Sequence, residues 1–257
     1  MACSPSVYYA HIIHCHEKSI YNVISLSYFM FKDRQTAGQQ LTFQLLMFDE
    51  DDHTVVAGLP RGGVLVAAEI ARNLGLPLEM IIVKKIGAPL NAEFAIGAVA
   101  EGGVRFLDRD VIREHGISDA YVEREAESQR SALHERVWHY RRERPSPDFH
   151  DKTVIIVDDG VATGATMCAA ILAARKMHAR AVIAAAPVIS VPALELLQGR
   201  ADAVVCFEVM RPCSFAVGEY YESFPQVTDD AVLHAARSSR IAGSGRRARA
   251  RRHIMIK

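Results

Sequence analysis

From Phe31 onward the chain alternates short unbroken apolar runs with longer stretches of helical period. Thr54–Leu59 is rich in β-branched and apolar residues and predicts a strand buried on both faces. Leu78–Val83, Thr153–Val157, Ala181–Ala185 and Ala203–Phe207 share that character. Between them, Leu41, Leu45, Leu46 and Phe48 recur at helical spacing and predict a helix over about 34–48. Pro60-Arg61-Gly62-Gly63 turns into a second helix that runs to about Leu74, where Gly75 stops it. Ser118 or Asp119 can cap a long charged helix reaching about Arg142, with an apolar stripe of Val122, Ala126, Leu133, Val137 and Tyr140. Met167–Met177 and Pro192–Gln198 complete the helices. Lys84–Ala95, with its Gly, Pro and Asn, reads as a long loop. Ile96–Ala100 and Val104–Leu107 read as a short hairpin around Gly102-Gly103.

Alternating strands and helices predict an α/β fold with a mostly parallel central sheet flanked by helices. Right-handed crossovers place the loops that follow each strand on one edge of that sheet. Pro60–Gly63, Lys84–Glu93, Asp158–Thr166 and the segment after Phe207 therefore meet there.

Charge separates the body from its end. Of the 30 basic residues, eight lie after Asp230 and 22 before it, while all 30 acids lie at or before Asp230. An acidic body argues against a nucleic-acid-binding fold, and leaves only the Arg-rich tail as a contact for such a partner. The tail, residues 239–257, includes Gly243-Ser-Gly and has a disordered composition. Residues 1–30 are aromatic and His-rich without a clear period, and read as a poorly ordered leader to a domain over 31–238. His11, His14 and His16 with Cys15 lack partner ligands at metal-site spacing. The five cysteines form no C-x-x-C pair. No run of about 18 apolar residues offers a membrane span. With no cationic signal-peptide start, a cytoplasmic protein is the expectation.

Most chemistry lies where the strand Thr153–Val157 ends. Asp158 and Asp159 are followed by Gly160, Val161, Ala162, Thr163, Gly164, Ala165 and Thr166, and then by a helix. Backbone N–H groups of such a loop and the helix N-terminus can hold a phosphate. The Thr163 and Thr166 hydroxyls add donors. Two adjacent carboxylates can accept hydrogen bonds from vicinal sugar hydroxyls. A parallel strand ending in a helix-capping Asp is the plainer alternative, but it needs neither a second acid nor Thr-Gly-x-Thr. Gly160 and Gly164 are too close for a nucleoside-triphosphatase P-loop, and no Lys follows. Gly-x-Gly-x-x-Gly is absent too.

This stretch resembles the phosphoribosyl-pyrophosphate signature of the type I phosphoribosyltransferases. The resemblance implies their fold, a parallel sheet with a flexible loop and a small C-terminal hood. It implies that Asp158 and Asp159 bind ribose hydroxyls and that residues 160–166 cradle the 5-phosphate. It assigns Arg61, Gly62 and Gly63 to pyrophosphate, in a turn that often holds an unusual cis peptide. Lys84 and Lys85 would neutralise the leaving group, and Glu93 would meet the nucleophile or the developing cation. Mg²⁺ is the implied cofactor, reached by Asp158 and Asp159 indirectly, through substrate or water. Ala162 stands where 6-oxopurine enzymes carry an acid, which argues against hypoxanthine or guanine.

Phe31-Lys-Asp33-Arg34-x-x-Ala37-Gly38, Pro-Arg-Gly-Gly-Val, Lys-x-Gly-Ala-Pro and Val-Gly-x-Tyr-Tyr add to the resemblance, and their order is similar to that of a bacterial subgroup sometimes fused to hydrolase domains. The implied partners are phosphoribosyl pyrophosphate and a nitrogen acceptor, a nucleobase among the candidates, in a protein that could be a homodimer. A module that senses the same ligand without turnover is the alternative. Phe215 and Tyr220, in the aromatic segment after the last strand, offer rings for stacking an acceptor or for packing the hood.

Overall fold

The computed structural model describes residues 31–142, 145–210 and 216–238, together with the backbone of Ile12–His14. The rest of the leader, Phe215 and the Arg-rich tail lie outside the described residues. The central sheet contains β1 (Ile12–His14), β2 (Thr54–Gly58), β3 (Leu78–Met80), β7 (Thr153–Val157), β8 (Ala181–Ser190) and β9 (Ala203–Met210), in the order β1-β9-β8-β7-β2-β3. All its pairs are parallel except the edge pair of β1 with β9. Every residue of β2 and β7 is buried, as their unbroken apolar runs require. Register aligns Thr54 with Thr153 and Gly58 with Val157, so the chain leaves both strands at the same edge.

Side chains of β7 alternate between two cores. Ile155 and Val157 pack with Leu41, Leu45, Val66, Ile70 and Leu74. Those residues come from α1 (Arg34–Phe43), α2 (Gly62–Asn73) and the turns that follow them. Val154 and Ile156 face the other way, toward α5 (Ala165–Lys176) and α6 (Val191–Gln198). Asp33 caps α1 through a 2.7 Å bond from the Thr36 N–H, and Ser190 caps α6 through the Ala193 N–H at 3.1 Å. Such caps contribute about 1 kcal/mol each. Cys168 and Cys206 are buried, and burial pushes both thiols up to about 12. They act as small hydrophobes, as their apolar surroundings in the sequence predict.

A second sheet departs from the sequence expectation. Lys84–Ala95 is not a loop: β4 (Val83–Ala88) and β5 (Asn91–Ala100) form an antiparallel hairpin that continues into β6 (Val104–Leu107). Its loop-like residues have a local cause. The ladder shifts register on both sides of Gly87, and a Cβ there would lie 2.7 Å from Ala92 Cα. Glycine is needed for that approach of two backbones. Leu78–Val83 is likewise not one strand. The chain leaves the central sheet after Met80, and Val83 begins the second sheet.

A short helix, α3 (Arg109–Glu114), follows β6 and is capped by Asp108 through the Val111 N–H. The long helix then forms as its cap and stripe predict. Ser118 caps α4 (Asp119–Arg141), and Val122, Ala126, Leu133 and Tyr140 are buried against Met80, Ile82, Ile86, Ile96 and Val99. At the C-terminal end of α4 lies a buried ion pair. Arg141 donates to Glu101 at 2.6 and 3.1 Å and to the Met80 carbonyl at 2.7 Å, while Glu101 accepts from the Ile82 N–H at 2.9 Å. This network fixes the junction of the two sheets to the end of α4.

Candidate functional site

The acid pair stands at the end of a fully buried strand. Asp158 donates its N–H to the Ala185 carbonyl at 3.2 Å, which continues the β7–β8 ladder by one residue. Its Oδ1 turns back to accept the Asp159 N–H at 2.9 Å. Burial first, and then the Asp159 charge, raise the Asp158 carboxyl well above the usual carboxylate range. Two carboxylates this close are electrostatically unfavourable unless one is protonated or a cation intervenes.

Asp159 has such a cation. Arg34 Nε lies 2.6 Å from Asp159 Oδ2, with the two side chains only 9% and 16% exposed. The same guanidinium donates from Nη1 to the Pro225 carbonyl at 2.8 Å and lies 3.7 Å above the centre of the Phe224 ring. Tyr221 donates its hydroxyl to the Asp159 carbonyl at 2.6 Å. Burial raises the Tyr221 hydroxyl far above its ordinary value, with the Asp159 charge adding to the effect. The C-terminal segment thus reaches Asp159 from the far end of the chain. Tyr220 and Tyr221 are buried with Phe31, Ala37, Val188 and Met210, so Tyr220 packs the hood onto the sheet.

The turn after β2 closes on the same pair. The Pro60–Arg61 peptide is cis. A Cβ at Gly62 would lie 1.8 Å from Asp159 Oδ2, and one at Gly63 would lie 2.9 Å from Asp158 Oδ1 and 2.6 Å from the Val157 carbonyl oxygen. On this side the glycines make room for the protein's own carboxylates.

Beyond the pair the loop is held at its flanks. Val161 continues the sheet through a 2.9 Å bond from its N–H to the Val188 carbonyl, and a Cβ at Gly160 would meet Val217 at 2.2 Å. Gly164 heads α5 with φ 81°, and no side chain caps it. The first turn of α5 leaves N–H groups without intrahelical acceptors, beside Thr163 and Thr166. That is the electropositive end of a twelve-residue helix, aimed from the loop's own side. Ser190 donates its hydroxyl to the Ala162 carbonyl, which fixes the loop from α6.

The two lysines separate. Adjacent strand residues point to opposite faces, so Lys84 and Lys85 cannot share one anion from within β4. Burial lowers the Lys84 ammonium below its ordinary value, and the charges of Arg136 and Arg61 add to this against Asp229 and Glu135. Lys84 therefore lies within electrostatic reach of Arg61, Arg136, Asp229 and Glu135. Lys85 instead pairs with Glu93 at 2.5 Å, inside the hairpin. Asp229 is held by the buried Tyr140, which donates its hydroxyl to it.

Among the described residues, no group of three or more His, Cys, Asp or Glu is placed to hold a metal ion. Two carboxylates without further protein ligands suit Mg²⁺, which keeps waters and is shared with substrate phosphates. Among the same residues no helix is long and apolar enough to cross a membrane.

Comparison with known proteins shows the family. Residues 30–221 match the family described as "Phosphoribosyl transferase domain", and the chain belongs to that family. It is 40% identical over 204 residues to "Putative phosphoribosyl transferase Rv0571c" of Mycobacterium tuberculosis strain H37Rv, a match that covers 79% of this chain. A protein of strain CDC 1551 / Oshkosh matches to the same extent. The chain spans about half the length of these curated relatives, matching 46% of each. Among solved structures it is similar to TT1426 from Thermus thermophilus, with 45% identity, a TM-score of 0.67, and coverage of 80% of this chain and 97% of that one. The parallel α/β fold expected from the alternation of elements is the one observed.

Proposed function

We propose that the chain transfers a 5-phosphoribosyl group from phosphoribosyl pyrophosphate to a nitrogen acceptor. The observation that carries this reading is the acid pair at the end of β7, with the cis turn of residues 60–63 on one side and the N-terminus of α5 on the other. In this reading the 5-phosphate lies in residues 160–166, where the α5 N-terminus and the hydroxyls of Thr163 and Thr166 offset its charge. Asp158 and Asp159 accept the ribose 2- and 3-hydroxyls. The pyrophosphate lies along Arg61, Gly62 and Gly63, with Lys84 supplying further positive charge.

The bond from the anomeric carbon to the pyrophosphate oxygen breaks, and pyrophosphate departs with the electron pair. The acceptor nitrogen forms the new bond to that carbon and gives up a proton to the medium. Catalysis by these residues is positioning and charge stabilisation, because none of them bonds covalently to the sugar. Asp158 and Asp159 would reach a bound Mg²⁺ through substrate or water, and it would supply positive charge to offset that of the leaving group. Lys85 and Glu93 act through the hairpin: closing its tip over the substrates would bring them near the acceptor and exclude water. Ala162 leaves no acid for the ring nitrogen of a 6-oxopurine, so other acceptors are favoured.

Pyrophosphate release across a panel of purine, pyrimidine, orotate and nicotinate-type acceptors tests this. Acceptor-dependent release that is lost in Asp159→Asn supports it. Tight binding of phosphoribosyl pyrophosphate with no release for any acceptor would replace the enzyme with a sensing module on the same site.

A further inference from the structure

Asp159 is the least free member of the proposed sugar site. Its side-chain Oδ2 is engaged by Arg34 at 2.6 Å and its carbonyl by Tyr221 at 2.6 Å. The Arg34–Asp159 pair also lies flat against Gly62: a Cβ there would be 1.8 Å from Asp159 Oδ2 and 2.9 Å from Arg34 Nε. The Arg34 guanidinium is itself fixed by three contacts in different directions, namely Asp159, the Pro225 carbonyl and the Phe224 ring. A planar fork can satisfy all three at once, which a lysine ammonium cannot.

We propose that Arg34 is a positioning residue for the phosphoribosyl site, holding the Asp159 carboxylate in place for the sugar hydroxyls and tying that placement to the Phe224–Pro225 segment. The inference rests on the phosphoribosyl reading above. Two consequences follow from the geometry. The Arg34–Asp159 pair meets the pyrophosphate turn at Gly62, so the placements of Asp159 and of that turn are coupled. And Phe224, on the C-terminal segment, reaches Asp159 by two routes, the guanidinium over its ring and the Tyr221 ring 4.8 Å away.

The distinguishing measurement is a double-mutant cycle on the affinity for phosphoribosyl pyrophosphate with Mg²⁺, read by titration calorimetry. Arg34→Gln is expected to weaken binding roughly 10- to 100-fold, the usual worth of a hydrogen bond to a charged group. If Arg34 acts through Asp159, the double variant Arg34→Gln/Asp159→Asn binds within about twofold of Asp159→Asn alone. Phe224→Leu should weaken binding severalfold in the wild-type background and by less in Arg34→Gln, where only its contact with the Tyr221 ring remains. Multiplying losses, or wild-type affinity in Arg34→Gln, would overturn the inference while leaving the site reading in place. A wild-type protein that does not bind phosphoribosyl pyrophosphate would overturn the site reading itself. Should Arg34→Gln fail to fold by circular dichroism, Arg34→Lys carries the same cycle. It keeps the charge at Asp159 but loses the combined stack and Pro225 bond, and its expected loss is intermediate.

Discussion

Gly62 and Asp159 are in direct steric register: a methyl group on the glycine would sit 1.8 Å from the Asp159 Oδ2. Helix propensity alone would favour alanine at this position, the first residue of α2, by about 1 kcal/mol. Overpacking costs about 1–3 kcal/mol and reverses that sign. Gly62→Ala should therefore lower stability and weaken phosphoribosyl pyrophosphate binding at least tenfold. Gly199 has open space around its Cβ direction, so Gly199→Ala serves as the control with neither effect. A Gly62→Ala protein with unchanged urea midpoint and unchanged affinity would show that the turn and the acid pair do not meet.

Asp158 gives a stability prediction with a definite sign. Its carboxyl is raised well above the ordinary range, chiefly by burial and next by Asp159. The folded state then holds a proton that the unfolded chain has released. Stability from this group is fully present below the unfolded value near pH 4, and is lost as pH rises through the folded value. Asp158→Asn removes that loss. Its melting temperature should exceed that of the ligand-free wild type at pH 8 and converge with it near pH 4, each kcal/mol appearing as roughly 2–4 °C. A melting-temperature difference that stays constant across this range would contradict the assignment.

Glu101 and Arg141 join the two sheets at low exposure, with side chains 5% and 9% accessible. Removing one partner leaves a buried charge unpaired, which costs about 3–5 kcal/mol. Glu101→Gln, which can still accept from Ile82, should therefore destabilise by an amount in that range in urea unfolding. Arg141→Met should do the same. A loss below about 1 kcal/mol would mean that water reaches the pair.

The acid pair and its loop were legible because their chemistry is local: strand, Asp158, Asp159, small loop and helix follow one another within a few residues. The parallel sheet was legible for a similar reason, since β2 and β7 are apolar almost throughout. The hairpin was not. Gly87, Pro89 and Asn91 look like loop residues, and only the close approach of Gly87 to Ala92 across the ladder explains glycine inside a strand. The split of Leu78–Val83 between two sheets left no mark either, because Ile81 and Ile82 are as apolar as a continuous strand would need. Arg34 stood in the sequence as a motif residue without a role. Its partner Asp159 lies 125 residues away, and its other contacts come from the C-terminal segment. No periodicity carries a contact of that range.

The most direct test of the account is calorimetric titration of phosphoribosyl pyrophosphate with Mg²⁺ into the wild type and into Asp158→Asn/Asp159→Asn. The site described above predicts saturable binding by the wild type and a loss of at least about 100-fold in the double variant, roughly two charge-assisted hydrogen bonds' worth. Equal affinity in both proteins would contradict it, because the ligand would then be held somewhere other than the end of β7.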